Sequence, residues 1–214
     1  MVSSTQTSRA RLVALPSPTL AQADDATLAR AASSGDPRAT SVLWDRFSPL
    51  VRRMLRRTLG PDAEVEGLVQ DVFLRALRQL SSLPESAQLK PFVVAVTVRV
   101  LSGELKRHRV RRLLRLQSPW SSPEFGVGSG DPATRTALSA LYRILDELDA
   151  EARLAFTLRH FEGLQITELA SAMDASLSSA KRRLARANAR VQAAVSRDGA
   201  FSAYATAVSL GDAP

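Results

Sequence analysis

From Leu138 to Val191, apolar side chains recur every three or four residues with only short polar breaks, a period that a helix satisfies and a strand does not. In the last segment, Leu177, Ala180, Leu184, Ala187 and Val191 form a stripe predicted to be buried. Ser179, Arg182, Arg183, Arg186 and Arg190 lie opposite it, with Lys181 beside them. The preceding segment repeats the pattern with Ile166, Leu169, Ala170 and Met173, and it carries Glu168 near its start, where the helix dipole favours a carboxylate. Asp174-Ala175-Ser176 separates the two: Asp tolerates the left-handed backbone that ends many helices, and Ser176 can cap the helix that follows. Two helices joined by so short a turn have the make-up of a helix-turn-helix, whose second helix enters the major groove of DNA. Arginine presents paired donors to guanine edges and to phosphates, so Ser178, Ser179, Lys181, Arg182, Arg183, Arg186 and Arg190 are the candidate duplex contacts. A basic stripe on an isolated helix is usually a solvated face, and its place on the second helix of a tight pair argues for DNA.

A chain of 214 residues has room for two small domains, or for one larger domain with tails. Hydrophobic residues make up 45% but aromatics only 5%, a composition suited to several small helical cores, and the expected class is all-α. Lys and Arg number 29 against 21 Asp and Glu, giving +8 and a pI near 11.0. An acidic polymer is the partner such a balance favours, although charge alone also admits a membrane surface. There is no cysteine, and His108 and His160 stand far apart, so disulfide and thiolate chemistry are excluded and a metal site would have to be built from carboxylates. No Ser-His-acid arrangement and no Gly-rich phosphate loop stand out. No catalysis, cofactor, metal or small-molecule substrate is expected. No apolar run reaches the roughly 20 residues of a membrane span, so a soluble, cytoplasmic chain without membrane insertion is expected. Arg9 and Arg11 before Leu12-Val13-Ala14-Leu15 faintly suggest a signal peptide, but Pro16 cuts the apolar run short; residues 1–22 read as a disordered extension and 198–214 as a tail.

In the first half, Asp24 to Ser34 reads as a short helix with Leu28, Ala31 and Ala32 on one face, stopped by Gly35 and followed by the cap and first-turn pair Asp36-Pro37. Val42, Leu43 and Phe47 stripe a second helix, and Ser48-Pro49 looks like the start of a third, so that Pro49 is expected to divide the two. The third would bury Leu50, Val51, Met54, Leu55 and Leu59 and end at Gly60-Pro61. A fourth helix over about 63–80 carries a broad apolar stripe from Val65 to Leu80. Gln70, Asp71, Leu74, Arg75 and Arg78 lie on its other face, where the exposed Leu74 could anchor a partner helix. Val94, Val96, Val98 and Val100 alternate with smaller or polar residues at the period of a strand, but no second convincing strand exists to pair with it, so a helix is expected. That helix would pack Phe92, Val93, Val96, Val100 and Leu105 inward and run on into a basic end from Lys106 to Arg115, suited to phosphate. Ser, Pro and Gly then dominate residues 117–134, which read as a flexible linker.

This order of parts resembles bacterial sigma factors of the extracytoplasmic-function group within the sigma-70 family, over roughly Asp24 to Val195. Its strongest stretches are Leu145-Asp146-Glu147-Leu148, Arg159-His160-Phe161-Glu162-Gly163-Leu164 and Lys181-Arg182-Arg183-Leu184-Ala185-Arg186-Ala187; Leu68-Val69-Gln70-Asp71-Val72-Phe73-Leu74 supports it in the first half. The resemblance implies two small helical domains joined by the linker. Residues 23–116 would be like sigma region 2, and residues 135–197 like the winged-helix-like helix-turn-helix of region 4. It implies core RNA polymerase and promoter DNA as partners, and an anti-sigma factor as a third. Gln70, Asp71, Leu74 and Arg75 match the positions that grip a coiled coil of the polymerase clamp. Phe92, Arg99, Lys106, Arg107, Arg109, Arg111 and Arg112 fall on the helix that opens the downstream promoter element and holds flipped bases. The chain has Gly67, Phe92, Arg99 and Gly103 where the family usually has Asp, Trp, Asn and Asp, and Gln165 where Ser or Thr would cap better. Two other functions fit the residues: a sigma-derived DNA-binding regulator that does not initiate, and an interaction scaffold.

Overall fold

A computed structural model describes residues 20–60, 63–84, 87–114 and 132–197, without the side chains of residues 21, 112, 113 and 132–136. Most of the expected extension and linker, and the whole tail, lie outside the described residues. Among the described residues every regular element is helical. In chain order they are α1 (Asp25–Ser33), α2 (Pro37–Leu59), α3 (Glu66–Gln79), α4 (Leu89–Leu113), α5 (Pro132–Glu147), α6 (Ala150–His160), α7 (Ile166–Ala172) and α8 (Leu177–Val195), with short 3-10 turns at Leu20–Gln22 and Leu80–Ser82. The turn at Leu20 packs against the core, and α5 already begins at Pro132, so the ordered chain reaches into both the extension and the linker expected up to residue 134.

Local signals set most of the boundaries. The Asp24 carboxylate accepts the Thr27 N–H at 2.7 Å to start α1, and Gly35 supplies the positive φ of +87° that turns the chain away from it. Asp36 accepts the Arg38 N–H at 2.8 Å, with Pro37 opening α2.

The expected break at Pro49 does not occur: α2 runs through it from Pro37 to Leu59. The reason is phase. Leu43, Phe47, Val51, Met54, Leu55 and Thr58 stay on one buried face across the proline, while Pro49 itself is exposed, so that burial on both sides offsets the lost hydrogen bond and water can reach the freed carbonyl.

The valine-rich segment is α4, and its strand-like alternation has a structural cause. Val93, Val94, Val96, Thr97, Val98, Val100 and Leu101 are all buried, because α2 and α3 cover one side of the helix and α6 and α7 cover the other. A helix enclosed all round carries no amphipathic period. Thr97 avoids an unmet hydroxyl by donating to the Val93 carbonyl at 2.7 Å.

The two halves are therefore not separate bodies on a string. Leu154, Ala155, Leu158, Leu169, Ala170, Ala172 and Ala180 belong to the same continuous core as α1 to α4, and a smaller cluster of Leu145, Leu148, Ala152, Phe156 and Ala187 joins α5, α6 and α8.

Candidate functional site

The helix-turn-helix is formed by α7 and α8. The turn takes the left-handed backbone at Asp174, with φ +48°, and the Ser176 hydroxyl accepts the Ser179 N–H at 3.2 Å to start α8. Gln165 is a workable start for α7 because Glu168 reaches back to accept its backbone N–H at 2.7 Å. Ala180 and Ala187 are fully buried and Leu184 and Val191 partly so, but Leu177, expected in the stripe, is 42% exposed. As the first residue of α8 it leans back over the turn, where no preceding helical turn exists to receive it.

The candidate duplex contacts separate into two groups. Ser178, Lys181 and Arg182 are exposed, and among the described residues neither basic side chain makes an ion pair. Ser179, half-buried, accepts a hydrogen bond from the Ser176 hydroxyl at 3.0 Å. Arg183, Arg186 and Arg190 instead face a ladder of carboxylates on the neighbouring α5–α6 corner: Arg183 meets Glu151 at 2.5 Å, Arg186 meets Asp149 at 2.7 Å and Arg190 meets Glu147 at 3.6 Å. Asp149 has two roles, since its other oxygen accepts the Glu151 and Ala152 N–H groups at 3.1 and 2.8 Å as the cap of α6. The sequence reading missed this ladder; the signal was Glu147, Asp149 and Glu151 at every second position just before the basic helix.

On α4, Phe92 is half-buried against the core, whereas Arg99 is exposed and donates to the Gln79 amide oxygen at 2.9 Å. Toward the helix end Arg107 and Arg111 both reach Glu104, at 2.6 and 3.0 Å, leaving Lys106 and Arg109 exposed and unpaired among the described residues. The side chain of Arg112 lies outside the described residues.

On α3, Gln70, Leu74 and Arg75 are exposed together, Leu74 by 53%. Arg75 donates to Asp71 at 2.9 Å, and that carboxylate holds the guanidinium pKa above its ordinary value. An apolar knob flanked by an amide and a fixed ion pair suits a helical partner. Behind this face Trp44 packs on Phe73 with ring centres 4.6 Å apart. The bidentate Arg52–Glu66 pair, 2.9 Å on both arms, ties α2 to the start of α3 and lowers the Glu66 pKa.

The profile of sigma-70 region 2 matches residues 43–111, and that of sigma-70 region 4 matches residues 138–191. The chain belongs to the sigma-70 family. Its relatives place it in the extracytoplasmic-function group. It is 26% identical over 178 residues to the RNA polymerase sigma factor NccH of Alcaligenes xylosoxydans xylosoxydans, covering 79% of this chain and 93% of that one. To the ECF RNA polymerase sigma-E factor of Escherichia coli K12 it is 23% identical over 175 residues, covering 78% and 91%. Among solved structures, the chain shares its fold with CnrH in complex with the cytosolic domain of CnrY, with a TM-score of 0.57, 23% identity and coverage of 82% and 99%. It also shares it with the sigma factor RpoE in complex with the anti-sigma factor NepR from Bartonella quintana, with a TM-score of 0.54, 21% identity and coverage of 72% and 95%. As a sigma factor the chain directs RNA polymerase to promoters, and members of this family act as initiation factors rather than as enzymes. No helix among the described residues is long and apolar enough to cross a membrane.

Proposed function

We propose that three faces of this sigma factor divide promoter-directed initiation among them. The exposed side of α3, with Gln70, Asp71, Leu74 and Arg75, holds core polymerase. The side chains of α4 from Phe92 through Arg99 to Lys106, Arg107, Arg109, Arg111 and Arg112 hold the downstream element as it melts, and α8 from Ser178 to Arg190 reads the upstream element as duplex. In this reading residues 23–116 and 135–197 are the two working units. The chain acts in the cytoplasm, where polymerase and promoter meet, and an anti-sigma protein is its restraining partner.

The observation that carries the proposal is that the three faces belong to two regions matched in family order, with Leu74 bare on one and Lys181 and Arg182 uncommitted on the other. Ser178, Lys181 and Arg182 are the first choice for base and phosphate contact. Arg183, Arg186 and Arg190 would reach DNA only by leaving their carboxylates, which suits them to phosphates that outcompete Glu151, Asp149 and Glu147.

The test is run-off transcription of fragmented genomic DNA by core polymerase with and without the full chain. New start sites sharing an upstream motif are expected; their absence, with a control sigma factor active, would leave the non-initiating regulator. Leu74→Asp is expected to abolish the new starts by weakening polymerase association, and normal association of that variant would displace the contact from α3.

A further inference from the structure

The last carbonyls of a helix have no partner within it, and those of α2 find theirs in the other half of the chain. Arg56 is capped locally by the Gly60 N–H at 2.9 Å. The Arg57 carbonyl accepts from the Tyr142 hydroxyl on α5 at 3.2 Å, and the Thr58 and Leu59 carbonyls accept from Arg153 on α6 at 2.8 and 3.1 Å. Arg153 is only 3% exposed and is also paired with Asp146. A cation buried at the negative end of α2 satisfies both the orphan acceptors and the helix dipole. Around it, the Thr58 and Thr157 hydroxyls meet at 3.2 Å, Arg57 donates to the Phe161 carbonyl at 2.6 Å, and Arg53 and Arg57 clasp Glu162 at 3.2 and 3.4 Å.

This closure hides what initiation needs. Arg99 and Ser102 of α4 and Arg183 of α8 line one cavity of about 210 Å³, together with Val98, Glu151 and Asp174. The proposed downstream and upstream contacts thus face each other across a space smaller than an ordinary small-ligand pocket of about 300 Å³, too small for a strand of nucleic acid. We propose that the seating of α6 and α7 on α4, bolted by Arg153 into the carboxyl end of α2, is an autoinhibitory latch that must open before both promoter elements can be held at once. The inference rests on the functional reading of α4 and α8. The polar make-up of the latch fits a contact that opens. A permanent joint is built from apolar surface, whereas a buried charge holds only while all its partners are aligned.

The absence of cysteine makes the test direct. In the full chain, Arg53→Cys with Glu162→Cys replaces one clasp of the latch with two thiols that a reducible bis-methanethiosulfonate reagent can bridge; wild type is the blank for the reagent. Without the bridge, this variant is expected to show a larger radius of gyration in solution scattering than wild type and at least threefold more run-off transcript at limiting polymerase. With the bridge in place, verified by mass, transcription is expected to fall at least tenfold and to return on reduction. Full transcription by the bridged protein, or no change in radius in the unbridged variant, would overturn the latch. A wild-type chain that starts no transcripts would instead strike the functional reading, and the radius comparison would still decide the latch.

Discussion

Arg182 and Arg190 sit on the same face of one helix, yet their surroundings differ: Arg182 is exposed without an ion-pair partner among the described residues, and Arg190 has Glu147 at 3.6 Å. A side chain already held by a carboxylate gains less from a phosphate than an uncommitted one. Arg182→Ala is therefore expected to weaken upstream-duplex binding by the full chain about tenfold, the order of 1–3 kcal/mol for a specific contact, and Arg190→Ala by much less. Equal losses, measured by fluorescence anisotropy at several salt concentrations, would contradict the division. At Gly103 the opposite question arises, since a methyl group built there would meet nothing within 4 Å. Gly103→Ala is expected to stabilise the chain by about 1 kcal/mol through helix propensity alone, read as a shift in the urea midpoint. No stabilisation would mean that the backbone at that position is under a constraint of another kind.

Individual elements are held by ionised groups whose protonation has a definite sign. Asp24 caps α1 and Glu66 clasps Arg52 across α2 and α3; both have pKa values lowered from the ordinary range, Asp24 by the Thr27 N–H and Glu66 by the Arg52 guanidinium. A lowered folded-state value means that the contribution is fully present at neutral pH and is lost as pH falls below about 4 toward the folded values. Stability is expected to fall with acid in that window, and less steeply in a chain carrying both Asp24→Asn and Glu66→Gln. An unchanged slope in denaturant titrations across the same window would assign the acid sensitivity elsewhere. Tyr142 illustrates the converse: burial raises its phenol above the usual value, which keeps the proton it donates to the Arg57 carbonyl.

Over the whole molecule, a core continuous from Leu28 to Ala180 couples the two halves, so wild type is expected to unfold in one transition. Arg153→Ala removes the donor to two carbonyls of α2 and leaves Asp146 without this guanidinium. A loss of about 3 kcal/mol is expected from breaking so buried a pair, with the single calorimetric transition resolving into two as the halves part. A single transition at the wild-type temperature would show that Arg153 does not join them.

The residues alone specify the helices with local signals: the caps at Asp24, Asp36 and Ser176, the left-handed turn at Asp174, the bare Leu74 and the basic face of α8. Each depends on neighbours a few positions away, and such signals survive in a linear reading. Contacts made across the fold decided the rest. Pro49 failed to break α2 because a buried face continues on both sides of it, and the strand-like valines are helical because α4 is enclosed from two directions. Arg183, Arg186 and Arg190 read as free for DNA until the α5–α6 corner supplied their carboxylates, and Arg153, unremarkable in a row of apolar residues, became the bolt between the halves. Periodicity records which face of a helix is apolar. Which surface comes to cover that face, and which charge comes to meet another, depends on residues about a hundred positions apart, as with Thr58 and Thr157 at a separation of 99.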